Sequence, residues 1–204
     1  MRLPWAPAGP TSSPQVNMPA ARTWLALGCL LALASGALAE DTVSAAAAKY
    51  GPTVYDCLRK AGLTSLIKIV DAAGMKSYFS TTYQINSLFA PNNAAVAQLY
   101  RTLQLPEQTA LANKRLMLQL LKYNTIPYVR RTPYWPTKGN GFKKQKTLIP
   151  GMMLRLYTTS AGRLAVSGFA NNATLIGKPG YNLVCARSVV HVTDGVLLPI
   201  EPAM

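Results

Sequence analysis

The chain has 204 residues, of which 50% are hydrophobic and 14% are charged. This balance excludes an intrinsically disordered chain and predicts one packed domain, with length to spare for an appendage. Lys and Arg together number 21 against 7 Asp and Glu, which gives a formal net charge of +14. Such a surplus favours polyanionic partners over cationic ones.

The N-terminal stretch has the pattern of a secretory signal peptide. Arg22 precedes a run of apolar and small residues over 24–38, and an Ala-Leu-Ala site ends it at Ala39. A basic flank, a short apolar core and a small-residue cleavage site predict export, so residues 1–39 are interpreted as an N-terminal extension plus signal peptide. The apolar core is too short for a comfortable membrane span.

Two readings of residues 1–21 stay open. Either Met18 is the true start, or a transit-like segment precedes the export signal and makes a two-part address to an organelle lumen. No apolar tail follows the last strand region, because residues 201–204 read EPAM. Neither a transmembrane anchor nor a GPI anchor is therefore expected. We expect a secreted protein, with an organelle lumen as the alternative.

Two cysteines remain after the predicted cleavage, Cys57 and Cys185. An even pair in an oxidising compartment usually forms a disulfide, and two buried thiols are the alternative. Asn172 begins the sequence Asn-Ala-Thr, which is a glycosylation sequon and fits an exported protein.

The first half of the exported chain is predicted to be helical around one strand. Val54 and Leu58 share one helical face and Gly62 ends that helix, while Pro91 ends an apolar run typical of a buried strand. Residues 75–84 have no clear period and are expected to be irregular. Helices are expected at residues 53–61, 65–73, 93–101 and, as one longer helix, 106–122, and the strand at residues 85–90.

The second half is predicted to be rich in strands, because short β-branched and apolar runs alternate with turn residues. A further buried strand, a bend at Asp194 and Gly195, and a second short strand are expected over residues 189–199. Since helices come early and strands late, the fold class is α+β. The preceding strands are expected at residues 152–158, 163–166, 174–176 and 183–185.

Between the two halves lies a basic segment, residues 130–146, which proline and glycine interrupt and which is predicted to be a loop or an irregular hairpin. Its cations would bind the sulfate or carboxylate groups of a polysaccharide while Tyr134 or Trp135 stacks on sugar rings. The alternative is a solvated, mobile loop, since charge runs often have no specific role. The candidate cations are Arg130, Arg131, Lys138, Lys143, Lys144 and Lys146.

The single histidine, His191, alternates with Val190 and Val192, so its side chain is expected on the opposite face of the strand. One histidine cannot form a His-rich metal site, and a catalytic histidine needs a nucleophile or an orienting partner. We interpret it as structural and hydrogen-bonded within the domain. Asp194 is likewise expected to fix the bend. No acid pair, phosphate loop or nucleophile elbow is present, so no catalytic residue, cofactor or metal is predicted.

Three ordered segments make the chain similar to the fasciclin-like domain family. Residues 87–95 (SLFAPNNAA) and 190–199 (VHVTDGVLLP) resemble its two signature boxes, and residues 120–127 (LLKYNTIP) resemble its central segment. The similarity predicts a single fasciclin-like domain over residues 51–200, after a loose lead-in at 40–50 and before a tail at 201–204. The structural signature residues are Phe89, Pro91, His191, Asp194 and Pro199.

The resemblance implies a wedge of β-strands flanked by several helices and an extracellular role in adhesion or matrix organisation without catalysis. The chain departs from the family pattern in two places. It has Tyr123-Asn124 where the family often has Tyr-His, and residues 186–188 read ARS where Asn-Gly is common. An adhesion role of that histidine is therefore not carried over, and Cys185 is expected to constrain the turn instead.

The combined prediction is a secreted, non-catalytic adhesion or extracellular-matrix domain. Its expected partner is an acidic polysaccharide or a cell-surface or matrix protein, bound through the basic segment, and not nucleic acid. The alternatives are a polysaccharide-active enzyme, which would need an acid pair, and a small-ligand carrier in the same compartment.

Overall fold

The computed structural model describes residues 50–177 and 181–199. These residues confirm the α+β class, with six helices and two four-stranded sheets among them. The predicted signal peptide, nearly all of the lead-in and the tail at 201–204 lie outside the described residues. Pro199 is the last residue described.

The six helices of the described residues pack against one face of the first sheet. Thr53 begins the first helix, since its hydroxyl oxygen accepts a hydrogen bond from the Asp56 N–H at 3.1 Å. Asn92 begins the fourth in the same way, at 2.7 Å from the Ala95 N–H. The helices are α1 (Val54–Lys60), α2 (Thr64–Ala72), α3 (Lys76–Phe79), α4 (Asn93–Thr102), α5 (Glu107–Ala112) and α6 (Lys114–Tyr123).

Two helical predictions are wrong in detail. The long helix expected over residues 106–122 is two helices, because the backbone of Asn113 leaves the helical region at φ −83° and ψ 79°. Its side-chain oxygen then accepts the Leu116 N–H at 3.1 Å and begins α6. Residues 75–84, expected to be irregular, contain the short α3, whose Phe79 side chain is fully buried.

Eight strands form two sheets, with a 3₁₀ turn at Thr132–Tyr134 between the second and third strands. The first sheet has the order β2-β1-β8-β7 and the second the order β3-β4-β5-β6. The strands are β1 (Ser87–Pro91), β2 (Thr125–Ile126), β3 (Phe142–Lys146), β4 (Met153–Thr158), β5 (Leu164–Ser167), β6 (Asn172–Thr174), β7 (Leu183–Cys185) and β8 (Ser188–Thr193).

The first sheet is built on a parallel pair of its two inner strands. β1 and β8 pair from Ser87 with Val189 to Pro91 with Thr193, and every residue of both strands is buried. Burial on both faces explains why both strands are rich in apolar residues. Pro91 is the last residue of β1 and closes the strand as predicted.

This sheet separates two cores. Leu88, Ala90, Val190 and Val192 face the helices, whereas Phe89 packs with the apolar residues of the second sheet. The second sheet is wholly antiparallel and turns its own apolar face inward. Its buried inward residues are Leu154, Leu156, Val166 and Ala173.

The chain after β8 differs from the prediction of a second strand. Thr193 and Gly195 form the bend, since the Thr193 hydroxyl donates to the Gly195 carbonyl at 2.9 Å. Val196 and Leu197 then run buried without joining a sheet. Asn124 pairs with this segment instead: its amide donates to the Leu197 carbonyl at 2.9 Å and its oxygen accepts the Leu197 N–H at 3.1 Å.

A disulfide joins α1 to β7 through Cys57 and Cys185, whose Cα atoms are 6.1 Å apart. β7 and β8 form a hairpin in which Cys185 pairs with Ser188, leaving Ala186 and Arg187 as the turn. Ala186 has a φ of +52°, a left-handed conformation that glycine adopts at lower cost.

Candidate polyanion-binding surface

The basic segment at residues 130–146 divides into an anchored part and an exposed strand. The expected loop or irregular hairpin is correct only for its first half, because β3 occupies Phe142–Lys146. The first half is held to the domain: the Ser87 hydroxyl accepts the Arg130 N–H at 2.7 Å, and the Asn182 side chain accepts the Thr132 N–H at 3.0 Å. These bonds attach residues 130–132 to the rest of the domain.

Two of the candidate cations make contacts within the domain. Arg130 donates from Nε to the buried Gln145 side chain at 2.9 Å, and its guanidinium lies 4.3 Å from the centre of the Tyr128 ring. Lys143 lies on the same face of β3 as Gln145, and its Nζ donates to the Tyr134 carbonyl at 2.8 Å. The side chains of Arg130 and Lys143 therefore hold the segment on the domain.

The proposed stacking role of Trp135 is corrected by its burial. Trp135 is only 5% exposed, and its ring makes edge contacts with Phe89 and His191 at centroid distances of 6.2 and 5.8 Å. A ring placed there belongs to the core and cannot stack on an external sugar. Tyr134, which is 66% exposed, remains available for that contact.

On the side away from its apolar face, the second sheet carries two neighbouring side-chain rows, which together we call the outer face. Strand register places Lys144, Arg155, Ser167 and Asn172 side by side in one row. The neighbouring row is Phe142, Tyr157, Ala165 and Thr174.

Arg155 belongs to this surface but was absent from the sequence-based candidates. Its guanidinium lies 4.9 Å from the centre of the Phe142 ring, and it is exposed next to Lys144. The sequence did carry a signal for it: in a strand with Leu154 and Leu156 inward, the residue between them must point outward. Arg131, Lys138 and Lys146 are also exposed, the first two on the connecting segment and the third at the end of β3.

Two grooves flank the first row and share Arg155 and Ser167. One has a volume of about 320 Å³ and lies towards Phe142 and Tyr157. The other has a volume of about 530 Å³ and lies towards Met153 and Phe169, the latter 74% exposed. The outer face thus combines cations, apolar rings and two grooves.

The electrostatic setting of the outer face is one-sided. The sequence contains no Asp or Glu between Glu107 and Asp194, although the whole basic segment, Lys144 and Arg155 lie in that interval. Ion pairs among the described residues involve Arg59, Lys68 and Arg163. The outer-face cations therefore have no carboxylate partner within the described part of the chain, and the surface carries a positive field.

A structural explanation exists for some of these lysines. β3 is an edge strand of its sheet, and lysines on an edge strand discourage pairing with another chain. Edge protection accounts for Lys143, Lys144 and Lys146 but not for Arg155, because β4 is an inner strand.

His191 is buried and hydrogen-bonded within the domain, as predicted. Its Nε2 lies 2.8 Å from the Arg130 carbonyl oxygen, and its Nδ1 accepts the Asn182 N–H at 3.3 Å. The ring stacks on Phe89 at 5.6 Å. Burial lowers the pKa of His191 from 6.5 to about 4, although the bond to the Arg130 carbonyl opposes this shift. A neutral imidazole that donates from Nε2 satisfies both contacts.

Asp194 acts across strands rather than within its own bend. Its carboxylate accepts the Thr174 N–H at 2.6 Å and lies 3.6 Å from the Arg163 guanidinium. The bend itself is held by the Thr193 hydroxyl. The expectation that Asp194 fixes the bend through local bonds is therefore corrected.

The central segment is also buried in this chain. Tyr123 is fully buried, and its hydroxyl accepts the Phe169 N–H at 2.7 Å while lying 3.4 Å from the Met153 carbonyl. Burial raises the Tyr123 pKa above 10.0. Together with the Asn124 bonds to Leu197, these contacts give the segment a structural role.

Each described carboxylate has a hydrogen-bond or ion-pair partner within the domain. Asp56 contacts Thr53 and Arg59, Asp71 accepts the Tyr55 hydroxyl, and Glu107 and Asp194 pair with the lysine and arginine given above. Hydrolysis of glycosidic bonds uses two carboxyl groups that flank one bond. No group of three or more potential metal ligands occurs among the described residues. None of the described helices has the length and apolar character of a membrane span.

Comparisons with known proteins decide the family. The family model of the Fasciclin domain matches residues 61–199, which is more than half of the chain. The chain belongs to the fasciclin domain family. Fasciclin domains are generally non-catalytic adhesion domains and occur in extracellular adhesion proteins.

A solved structure was also found. It is described as a FAS1 domain pair from the insect cell adhesion molecule fasciclin I, with 19% identity and a TM-score of 0.46. The match covers 66% of this chain and 44% of that chain, so this chain spans less than half of the solved pair. A search of curated proteins found no match.

Proposed function

We propose that this fasciclin domain is an exported adhesion or matrix module that binds acidic polysaccharide on the outer face of its second sheet. The observation that carries the proposal is the row formed by Lys144 and Arg155, two neighbouring cations without a carboxylate partner among the described residues. Arg131, Lys138 and Lys146 extend the positive field around it.

The layout suits a sulfated or carboxylated sugar chain. Anionic groups meet the two cations, while the apolar faces of the sugar rings cover Phe142, Tyr157 and Phe169. Exposed charge contacts are individually weak, at about 0.2–1 kcal/mol each. Binding therefore depends on several contacts at once and falls with ionic strength.

The first test is a double variant that removes both positive charges, Lys144→Gln with Arg155→Gln, measured by salt elution from a heparin or pectate column. Loss of two charge contacts is expected to weaken binding by roughly tenfold, about 1.4 kcal/mol, and to shift elution to lower salt.

The matched control is Arg101→Gln with Arg115→Gln, two exposed cations on α4 and α6. Both double variants lower the net charge by the same amount, but only the first changes the outer face. Equal shifts for the two variants would mean attraction by net charge alone and would overturn the proposal. If the Lys144/Arg155 double variant aggregates without an elution shift, the role of Lys144 is to protect the edge strand from pairing, and the binding proposal is overturned.

A further inference from the structure

The smaller groove on the outer face ends at the asparagine of the glycosylation sequon. Asn172, Phe142, Arg155, Tyr157 and Ser167 line it together with Gly141. Asn172 is exposed on the edge strand β6 and stands in the same row as Arg155, two strands away. Since neighbouring strands lie about 4.8 Å apart, Asn172 and Arg155 are separated by roughly 10 Å, the length of two sugar rings.

The two adjacent asparagines differ in a way that matches the sequon. The Asn171 side chain is occupied, because its amide donates to the Val196 carbonyl at 2.7 Å and its oxygen accepts the Leu198 N–H at 2.9 Å. The Asn172 side chain makes no hydrogen bond to the described residues and points to solvent. Only Asn172 is followed by threonine at the third position of the triplet.

We infer that Asn172 carries an N-linked glycan whose first sugars lie in this groove and exclude external polyanions from Arg155. The apolar faces of the sugar rings cover Phe142, which is 48% exposed, and Tyr157. The inference rests on the proposed function for the competing ligand, since polyanions are taken to bind the same outer face. Glycosylation of Asn172 then determines how much of the row containing Lys144 and Arg155 is accessible to a polyanion.

The modification is a group transfer from an oligosaccharide linked to a lipid diphosphate. A bond forms between Asn172 Nδ2 and the anomeric carbon of the first sugar, and the bond from that carbon to the diphosphate oxygen breaks. The lipid diphosphate leaves with the bonding electron pair, and Nδ2 gives up one proton. The outward direction of the side chain leaves the β5–β6 hydrogen bonds intact.

The experiment compares the full chain with two variants at one position, produced in a eukaryotic secretory cell. Thr174→Ala destroys the sequon, whereas Thr174→Ser keeps it, and neither changes Asn172. Mass measurement before and after enzymatic removal of N-glycans should show a glycan on the wild type and on the serine variant. On a heparin column the alanine variant is expected to bind about tenfold more tightly than the other two, because Arg155 and Lys144 become accessible.

A second readout tests the position of the glycan without any polyanion. Hydrogen exchange of the β4 and β5 amides should be slower in the glycosylated protein, and Phe142→Ser should remove that difference by removing the ring under the sugars. Absence of a glycan in the wild type, or a glycan without protection of β4 and β5, would overturn the inference. If neither the wild type nor the two Thr174 variants bind heparin, but the glycan still slows exchange in β4 and β5, the polyanion proposal is overturned. The position of the glycan would then stand, and only its competition with polyanions would be refuted.

Discussion

At the scale of single residues, His191 shows how a side chain often associated with chemistry serves the core. Its two ring nitrogens bind the backbone of Arg130 and of Asn182, and its ring packs against both Phe89 and Trp135. It therefore connects β8 with the start of the basic segment. The neutral form is required, since a second ring proton would face the Asn182 N–H.

The stability of the domain should consequently depend on pH through His191. The pKa is about 4 in the folded protein and about 6.5 unfolded, so the unfolded state binds the extra proton between these values. The free energy of unfolding should fall by roughly 3 kcal/mol as pH decreases from about 7.5 to 4, and this contribution should be constant above about pH 7.5.

Denaturant unfolding of the wild type and of His191→Gln between pH 4 and pH 7 measures this effect. The variant should lose the part of the slope that the histidine supplies, because glutamine does not titrate. Since the chain has one histidine, its imidazole NMR signal gives the folded pKa directly. A folded pKa near 6.5 would contradict the expectation.

At the scale of elements, the hairpin between β7 and β8 is a weak point in an otherwise well-formed sheet. Ala186 adopts φ +52° in a two-residue turn, where the family often has Asn-Gly. The disulfide at Cys185 adjoins this turn, as the sequence led us to expect.

Ala186→Gly is predicted to stabilise the domain by about 0.5–1 kcal/mol. Glycine removes the left-handed penalty of about 1–2 kcal/mol, part of which is offset by its greater freedom in the unfolded chain. Thermal or denaturant unfolding measures the gain. The control is Ala161→Gly, an exposed turn residue whose φ is not positive and which should be neutral or destabilising. A stability loss at Ala186 would show that packing of its Cβ dominates.

Elements with strong local signals could be predicted from the sequence. The glycine after α1, Pro91 at the end of β1 and the apolar residues of β1 and β8 all indicated elements close to those observed. Three features could not, because they depend on tertiary contacts. The sequence of β3 is charged like a loop, and only its pairing with β4 makes it a strand. Asparagine also occurs inside helices, so Asn113 does not by itself indicate a break. The segment at Val196 is held by the side chain of Asn124, which belongs to another element.

The candidate surface was predictable in charge but not in geometry. Sequence identified the cations of residues 130–146, whereas the fold divides them between internal contacts and solvent. Arg130 and Lys143 bind other groups of the domain, Trp135 enters the core, and Arg155 joins Lys144 from a different strand. Only cross-strand register brings the last two together.

At the scale of the whole molecule, the disulfide links residues that are 128 positions apart. Closing so long a loop restricts the unfolded chain by about 4–5 kcal/mol in the simple entropic model. It also fastens the first helix to the sheet that contains the last strand.

Removal of the disulfide is expected to lower the free energy of unfolding by about 4 kcal/mol. For a domain of this size the melting temperature should fall by roughly 8–16 °C. Thermal unfolding with and without a reductant measures the change, and Cys57→Ala with Cys185→Ala serves as the control that reductant should not affect. An unchanged melting temperature in reductant would contradict the prediction.

The parallel pairing of β1 with β8 has a consequence for synthesis on the ribosome. β1 is made about a hundred residues before its main partner, so its apolar edge waits unpaired while helices and the second sheet emerge. The first sheet can close only after Thr193 has left the ribosome, which places its assembly late and makes it slow. A nascent chain stalled before residue 188 should therefore remain open to proteases and chaperones, and one released after Pro199 should not.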